Sequence, residues 1–257
     1  KFACTKLGAK EGAANSYGIE QAMNGLTAAT NPAAGVTGKD EEGRAVLGGR
    51  GAASVAGNSV GALNAIAGAV SAVDGVTAVY VVDNSTAAAV ITGGISLAAH
   101  SLYVCVNGGT DEAVALAMLR KKPPGCGYTG TTTVTVADPD SAYQTAPLYA
   151  VTFTRALATS LYFGVTIRAG STVPSTAATQ IQAAILAAFE ADGGDAGIIG
   201  GTVYASAYYA PVAALGSWAK IVEITVGTAA SPTGFTAALN INQIPTLDTA
   251  SITVTVS

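Results

Sequence analysis

The stretch "LRKKPPGCGYTG" (residues 119–130) gathers the side chains best suited to chemistry: three consecutive cations, a cysteine, and glycines that free the backbone. Three uses compete for it: a phosphate cradle, a thiol site, and a helix end followed by a strand. A phosphate cradle needs its cations and free N–H groups at the start of a helix. Here Arg120, Lys121 and Lys122 close an amphipathic run, where they complement the negative end of the helix dipole. Pro123 and Pro124 stop the helix, and Gly125 and Gly127 supply turn dihedrals ahead of a strand expected at Thr131. Cys126 has no cysteine or histidine at ligand spacing and is expected to pack. The stretch reads as a structural joint between two domains. Arg120, Lys121 and Lys122 form a candidate contact with another subunit, because charge-assisted pairs fix register.

Other motifs carry less. "GNSVG" (57–61) spells the G-x-S-x-G of a nucleophile elbow, which needs a strand ahead of the serine. The residues before Ser59, "GRGAASVA", have no strand pattern. The single histidine, His100, opens a strand and would act as base or metal ligand only with partners. Asp83 and Asp111 reach it only if the two strands pair in one register. "DPD" (138–140) and "DGGDAG" (192–197) cluster oxygens as calcium loops do, without the spacing or terminal Glu of an EF-hand. Turns use the same residues. "NGGT" (107–110) leads from a strand to a helix, but no Lys follows at Walker spacing, and Asp111 and Glu112 occupy the end a phosphate needs. No catalytic residue, metal site or cofactor is expected, and the chain is not expected to be an enzyme.

Composition narrows the classes further. Half of the 257 residues are hydrophobic, yet aromatics are only 6% and glycines number 31, so the apolar content is mostly Ala and Val. Charged residues make up 11%, against about 25% for an ordinary soluble protein. A surface so poor in charge suits a chain covered by neighbours in a large assembly. The net charge is −4 and no basic stripe interleaves with aromatics, so nucleic acid is not an expected partner. No apolar run reaches the roughly 18 residues of a spanning helix, so membrane insertion is not expected. Three cysteines, Cys4, Cys105 and Cys126, without C-x-x-C spacing, suit a reducing compartment. The opening "KFACTKLG" has no Met and no signal-peptide layout, so it is expected to belong to a longer chain.

The elements that must position these groups follow from periodicity. Residues 1–50 read as an irregular, loop-rich segment: Asn31 before Pro32 disfavours helix, and the glycines at 48, 49 and 51 weaken any helix begun by Asp40, Glu41 and Glu42. From about Ala52 a helix is expected, with Leu63, Ile66, Val70 and Val73 on one face, ending at Asp74–Gly75. "VTAVYVVDN" and "HSLYVCVNGG" read as strands separated by a short turn, the second apolar on both faces. Thr110 caps the next helix, which buries Val114 and Met118. Helix–strand–strand–helix makes 51–129 one α+β domain. A strand-rich α+β domain is expected over 130–257. Its strands are "TTTVTVAD", "LYAVTF", "SLYFGVTIR", "AKIVEITVG" and "SITVTVS", with "TRALAT" as a connector. A helix capped by Ser175 or Thr176 places Ile181, Ile185 and Phe189 at spacing four, and "TVYASAYYAPVAAL" reads as a second helix cut by Pro211. The fold class is α+β, with two or more small mixed domains.

The order of segments says more than any one motif. "TNPAAGVTGKDEEGRAV", then "NSVGALNAIAGAVSAVDGVTAVYVVDN", then "HSLYVCVNGGTDEAVALAMLRKKPPGCGYTGTTTVTV" resembles the baseplate J-like family of phage tail proteins. The likeness continues through "YAVTFTRALATSLYFGVTI" and "TAATQIQAAILAAF" to "NQIPTLDTASITVTV", and so covers the chain from about Asn31 onward. The sequence departs from the family's pattern at "DEEGRAVLGGRG", where Gly43, Gly48 and Gly49 loosen the charged, apolar-punctuated helix that relatives keep.

This resemblance implies a structural protein without cofactor or catalytic activity, located in the virion as part of the tail baseplate and assembled in the host cytoplasm. Its implied partners are other baseplate wedge and hub proteins and a second copy of itself in each wedge. In such relatives the copies join a smaller wedge protein through an N-terminal helical bundle. The α+β domains then link neighbouring wedges. A competing expectation, an adhesin or carbohydrate-binding module, comes from the Thr-rich strands and ten tyrosines. It requires exposed aromatic platforms. A hydrolase built on Ser59 and His100 is the third alternative.

Overall fold

The structure, a computed structural model, describes residues 63–139, 144–191 and 194–257. The expected loop-rich segment 1–50, with Asp40, Glu41 and Glu42, lies outside these residues, as do Cys4 and Ser59. Helix α1 (Leu63–Ser71) buries Ile66 and Val70, four residues apart. Gly75, at φ +78°, turns the chain back into β1 (Val76–Asn84).

An expected short turn after β1 is instead a small hairpin of β2 (Val90–Thr92) and β3 (Ile95–Leu97). Gly93 and Gly94 form its two-residue loop, both at positive φ, the geometry that matches strand twist. The buried Asn84 organises the preceding loop. Its amide donates to the carbonyls of Ala88, Leu97 and Ala98 at 2.8, 3.2 and 2.9 Å, and its Oδ1 accepts from the Thr86 N–H and hydroxyl.

Strand β4 (Ser101–Gly108) pairs antiparallel with β1, from Val76↔Gly108 to Asn84↔Ser101. Its first six residues are all buried, as the apolar pattern predicts. Alternation explains this: Leu102, Val104 and Val106 face α1 and α2 (Asp111–Lys121), while Tyr103 and Cys105 face Leu97, Ile199, Ile241 and Ile244. The chain then gives β5 (Gly127–Thr129), β6 (Thr132–Ala137) and β7 (Leu148–Arg155). Both β5 and β7 run parallel to β4 along its second edge, and β6 closes the sheet beyond β7, giving the order β1-β4-β7-β6.

That topology corrects the expected domain boundary at 129/130. Strands β6 and β7 belong to the first sheet, and Val136, Val151 and Phe153 share a core with Leu102 and Val104. The physical reason is the second edge of β4, whose buried N–H and C=O groups need partners; the chain supplies them only by returning twice. The core changes at Ala156 instead. The described residues nevertheless all fall in one compact unit.

Past Ala156 come β8 (Leu157–Ser160) and β9 (Tyr162–Ile167), so "TRALAT" is largely strand rather than connector. The remaining elements are α3 (Ala177–Glu190), β10 (Thr202–Tyr204), a 3-10 turn (Ala205–Tyr208), α4 (Tyr209–Ala213), β11 (Ile221–Gly227), β12 (Thr236–Ala238), β13 (Gln243–Thr246), a second 3-10 turn (Thr249–Ser251) and β14 (Ile252–Val256). β9 lies between antiparallel β11 and parallel β14. Leu161, Phe163, Val165 and Ile167 are all buried, against Ile181, Ile185 and Phe189 of α3, as their periods predict. Phe163 meets Tyr208 edge-on at 4.7 Å between ring centres. Small ladders, β10 with β12 and β8 with β13, complete this half.

Two local expectations change. Thr176 occupies the N-cap of α3 without a side-chain cap bond; its hydroxyl accepts from Gln180 Nε2 at 3.1 Å. Pro211 does not cut a helix. It is the third residue of α4, inside the first turn, where no N–H has an intrahelical partner to lose. The α+β class stands: 14 strands in several small mixed sheets, with helices on their faces, among the described residues.

Candidate functional site

The basic cluster lies where its chemistry requires, in the last turn of α2 and just after it. Arg120 is exposed, while Lys121 and Lys122 are half-buried. Lys122 caps the helix: its N–H donates to the Met118 carbonyl at 2.9 Å while its ψ of 134° turns the backbone out of the helix ahead of Pro123. Its Nζ stands 4.9 Å from the centre of the Tyr128 ring, a cation–π contact. Pro123, Pro124 and Gly125 make the turn, and Gly125 needs its freedom because its φ is +78°. Gly127 differs from expectation. It is already in β5, a short extra strand ahead of β6, the strand expected at Thr131, and its N–H donates to the His100 carbonyl at 2.8 Å. The joint therefore links a helix to a strand inside one layer and does not separate two domains. Cys126 packs against the core on the helix side, with Sγ 3.3 Å from its neighbour's carbonyl oxygen on Gly127.

His100 is not in a strand. It is exposed at φ +50°, in the turn before β4, with its N–H donating to the Thr86 carbonyl at 3.1 Å. Its expected neighbours go elsewhere. Asp83 is exposed across from Leu102. Asp111 pairs with Arg155, whose guanidinium also donates to the carbonyls of Gly108 and Gly109. Arg155 thus locks the "NGGT" turn, and Thr110 Oγ1 accepts from the Ala113 N–H at 3.4 Å as the expected cap. Among the described residues no group of three or more His, Cys, Asp or Glu could hold a metal ion. Of the two oxygen-rich loops, read as turns, Asp140 and Asp192 lie outside the described residues, and Asp195 accepts a 2.7 Å bond from the Tyr208 hydroxyl.

Titratable groups in the core are held protonated. Burial pushes the Cys105 thiol up to about 11 and the Tyr103 phenol up to about 12. Burial, reinforced by its bond to Asp195, raises Tyr208 as well. A thiol held protonated is a poor nucleophile, so Cys105 is a packing residue.

A groove that no motif marks carries more chemistry. It lies where β9 ends and β11 begins, with a volume of about 250 Å3, lined by Arg168, Ala169, Gly170, Thr172, Val173, Trp218 and Lys220. Arg168 and Lys220 are exposed on adjacent strand ends, joined by the Arg168 N–H bond to the Lys220 carbonyl at 2.8 Å. Trp218, the chain's one tryptophan, is half-buried against the β9 core. The sequence separates these cations by 52 positions, so only the β9–β11 pairing brings them together. The available signal was weak: a cation just past a strand in "TIRAG" and just before one in "WAKIVEI".

No protein-family model matches the chain, and no curated protein matches it.

Proposed function

We propose that this chain is a structural subunit of a contractile-tail baseplate, in a phage or a related injection machine, making wedge and inter-wedge contacts around the tail hub. The observation that carries the reading is the ordered succession of segments resembling the baseplate J-like family. It acts without cofactor or catalytic activity, as part of a virion assembled in the host cytoplasm. Its partners are other wedge and hub proteins and a second copy of itself.

Surface physics supports a life among neighbours. Val222 on β11 and Val256 on β14 are 61% and 50% exposed, at the two ends of the β11-β9-β14 sheet. The outer edge of β11 is already covered, its Ile224 and Val226 N–H groups bonded to the Tyr209 hydroxyl and the Gly234 carbonyl, so these side chains and not an open edge are what a neighbour would meet. Ile91 in the β2–β3 hairpin is 76% exposed. The carbohydrate-module alternative is less well served: Tyr103 and Tyr208 are buried, and the exposed Tyr149, Tyr204 and Phe235 lie on β7, on β10 and just before β12. Among the described residues no helix is long and apolar enough to cross a membrane.

Co-expression with the sheath, tube and wedge proteins of a contractile tail tests the reading. The chain should co-purify with them and occupy baseplates in negative-stain images. A monomer that never enters tail particles contradicts the proposal.

A further inference from the structure

We propose that the groove between Arg168, Trp218 and Lys220 binds an oxyanion, a phosphate or carboxylate group. The proposal does not depend on the baseplate reading. Its first support is a pair of like charges held side by side. The last paired rung of β9 and β11 on this side is Ile167↔Ile221, both turned to the core. One rung further, Arg168 and Lys220 are bonded backbone to backbone, so both side chains leave the opposite face. Like charges directly opposite on a sheet repel. Among the described residues neither cation has an ion pair or side-chain hydrogen bond. Arg155, by contrast, has Asp111 and two carbonyls, and Lys122 has the Tyr128 ring and the end of a helix.

The second support is the kind of polar group the groove presents. The two charged side chains that line it, the Arg168 guanidinium and the Lys220 ammonium, are donors with no acceptor capacity. Two cationic donors side by side are complementary to a ligand rich in acceptors, which describes an oxyanion. Arg168 can engage two of its oxygens at once while Lys220 supplies a point charge.

The third support is that the groove is built. Gly216 has φ +143°, and a Cβ there would lie 3.1 Å from Trp218 Cδ1 and Nε1, so glycine is what lets the indole fold back over its own loop. The backbone from Gly216 to Lys220 is tied by the Ala219 N–H to Gly216 carbonyl bond at 3.0 Å and the Lys220 N–H to Trp218 carbonyl bond at 2.9 Å. On the far wall the Val173 N–H donates to the Gly170 carbonyl at 3.2 Å.

Because Trp218 is the only tryptophan, its emission reports on this site alone. The full chain is titrated with inorganic phosphate, and separately with acetate, at ionic strength held constant with sodium chloride. The 31P line width is followed in parallel, so that a silent fluorophore is not mistaken for an empty site. A saturable response is expected to at least one anion, with half-saturation raised ~10-fold or more in the Arg168→Gln/Lys220→Gln double variant. Arg168→Lys, which keeps the charge and loses the planar fork, should fall between. Tighter response to phosphate assigns a phosphate ligand; tighter response to acetate assigns a carboxylate. Circular dichroism on the variants checks that they fold. Absence of saturation for both anions by fluorescence, together with an unbroadened 31P line, overturns the proposal. So does equal binding by the folded double variant.

Discussion

Two of the cationic groups among the described residues differ in origin and in what surrounds them. Arg120, Lys121 and Lys122 are consecutive in sequence and close a helix, where the helix carbonyls and the Tyr128 ring receive their charge. Arg168 and Lys220 are far apart in sequence and are brought to adjacent strand ends by a ladder, and among the described residues no ion pair or side-chain hydrogen bond engages them. Consecutive charges are most simply explained by the element they terminate. Charges assembled by topology have no such local use, and a bound oxyanion would offset their mutual repulsion.

The contrast can be broken most severely from below. Phe163 is fully buried beneath the β9–β11 pairing and packs edge-on against Tyr208. Phe163→Ala should destabilise the fold by about 3–5 kcal/mol in denaturant unfolding and abolish any anion response of Trp218. An unchanged response would mean that the ladder does not set the site. Next comes the engaged cation. Arg155→Ala frees the "NGGT" turn and should cost about 1–2 kcal/mol, discounted for an ion pair whose side chains are 31% and 53% exposed. The anion response should be untouched.

Alkali offers a graded probe of the core between the two groups. Tyr103 rises from 10.0 to about 12, and Cys105 from 9.0 to about 11, both through burial. The folded state therefore holds these protons more tightly than the unfolded chain. Their contribution is complete below about pH 9, and it is lost from Cys105 as pH rises to about 11 and from Tyr103 as it rises to about 12. Stability measured by urea titration should fall across that window, and Cys105→Ala should remove part of the slope. Disulfide-exchange labelling at pH 8, on a Cys4→Ser background, should reach Cys126 well before Cys105. The smallest effect is expected at the helix end: Lys122→Gln should shift stability by no more than ~0.5 kcal/mol. A larger loss would give the first cluster a role beyond capping.

Much of the architecture was legible in the sequence because the signals are local. The spacing of Ile181, Ile185 and Phe189 finds α3, and the alternation from Leu161 to Ile167 finds the buried face of β9. Thr110 before Asp111 and Glu112 finds the start of α2. Where the reading failed, the cause was long-range pairing. Nothing near residue 130 announces that β6 and β7 will return to the far edge of β4, and the prolines and glycines there imitate a linker. The β2–β3 hairpin is legible only afterwards, from Gly93–Gly94, since its three-residue strands are too short to show a period. Pro211 misled because its effect depends on which turn of a helix it enters. The anion groove was least legible, because its members share no sequence neighbourhood and meet only through one ladder.

The most direct measurement is thermal unfolding with and without phosphate for three chains: the parent, Arg120→Gln/Lys122→Gln, and Arg168→Gln/Lys220→Gln. Ligand that binds only the folded state raises the midpoint. A topology-assembled anion site predicts the same phosphate-induced rise in the parent and in the helix-end variant, and none in the groove variant. A rise that survives loss of Arg168 and Lys220, or disappears with loss of Arg120 and Lys122, would contradict it.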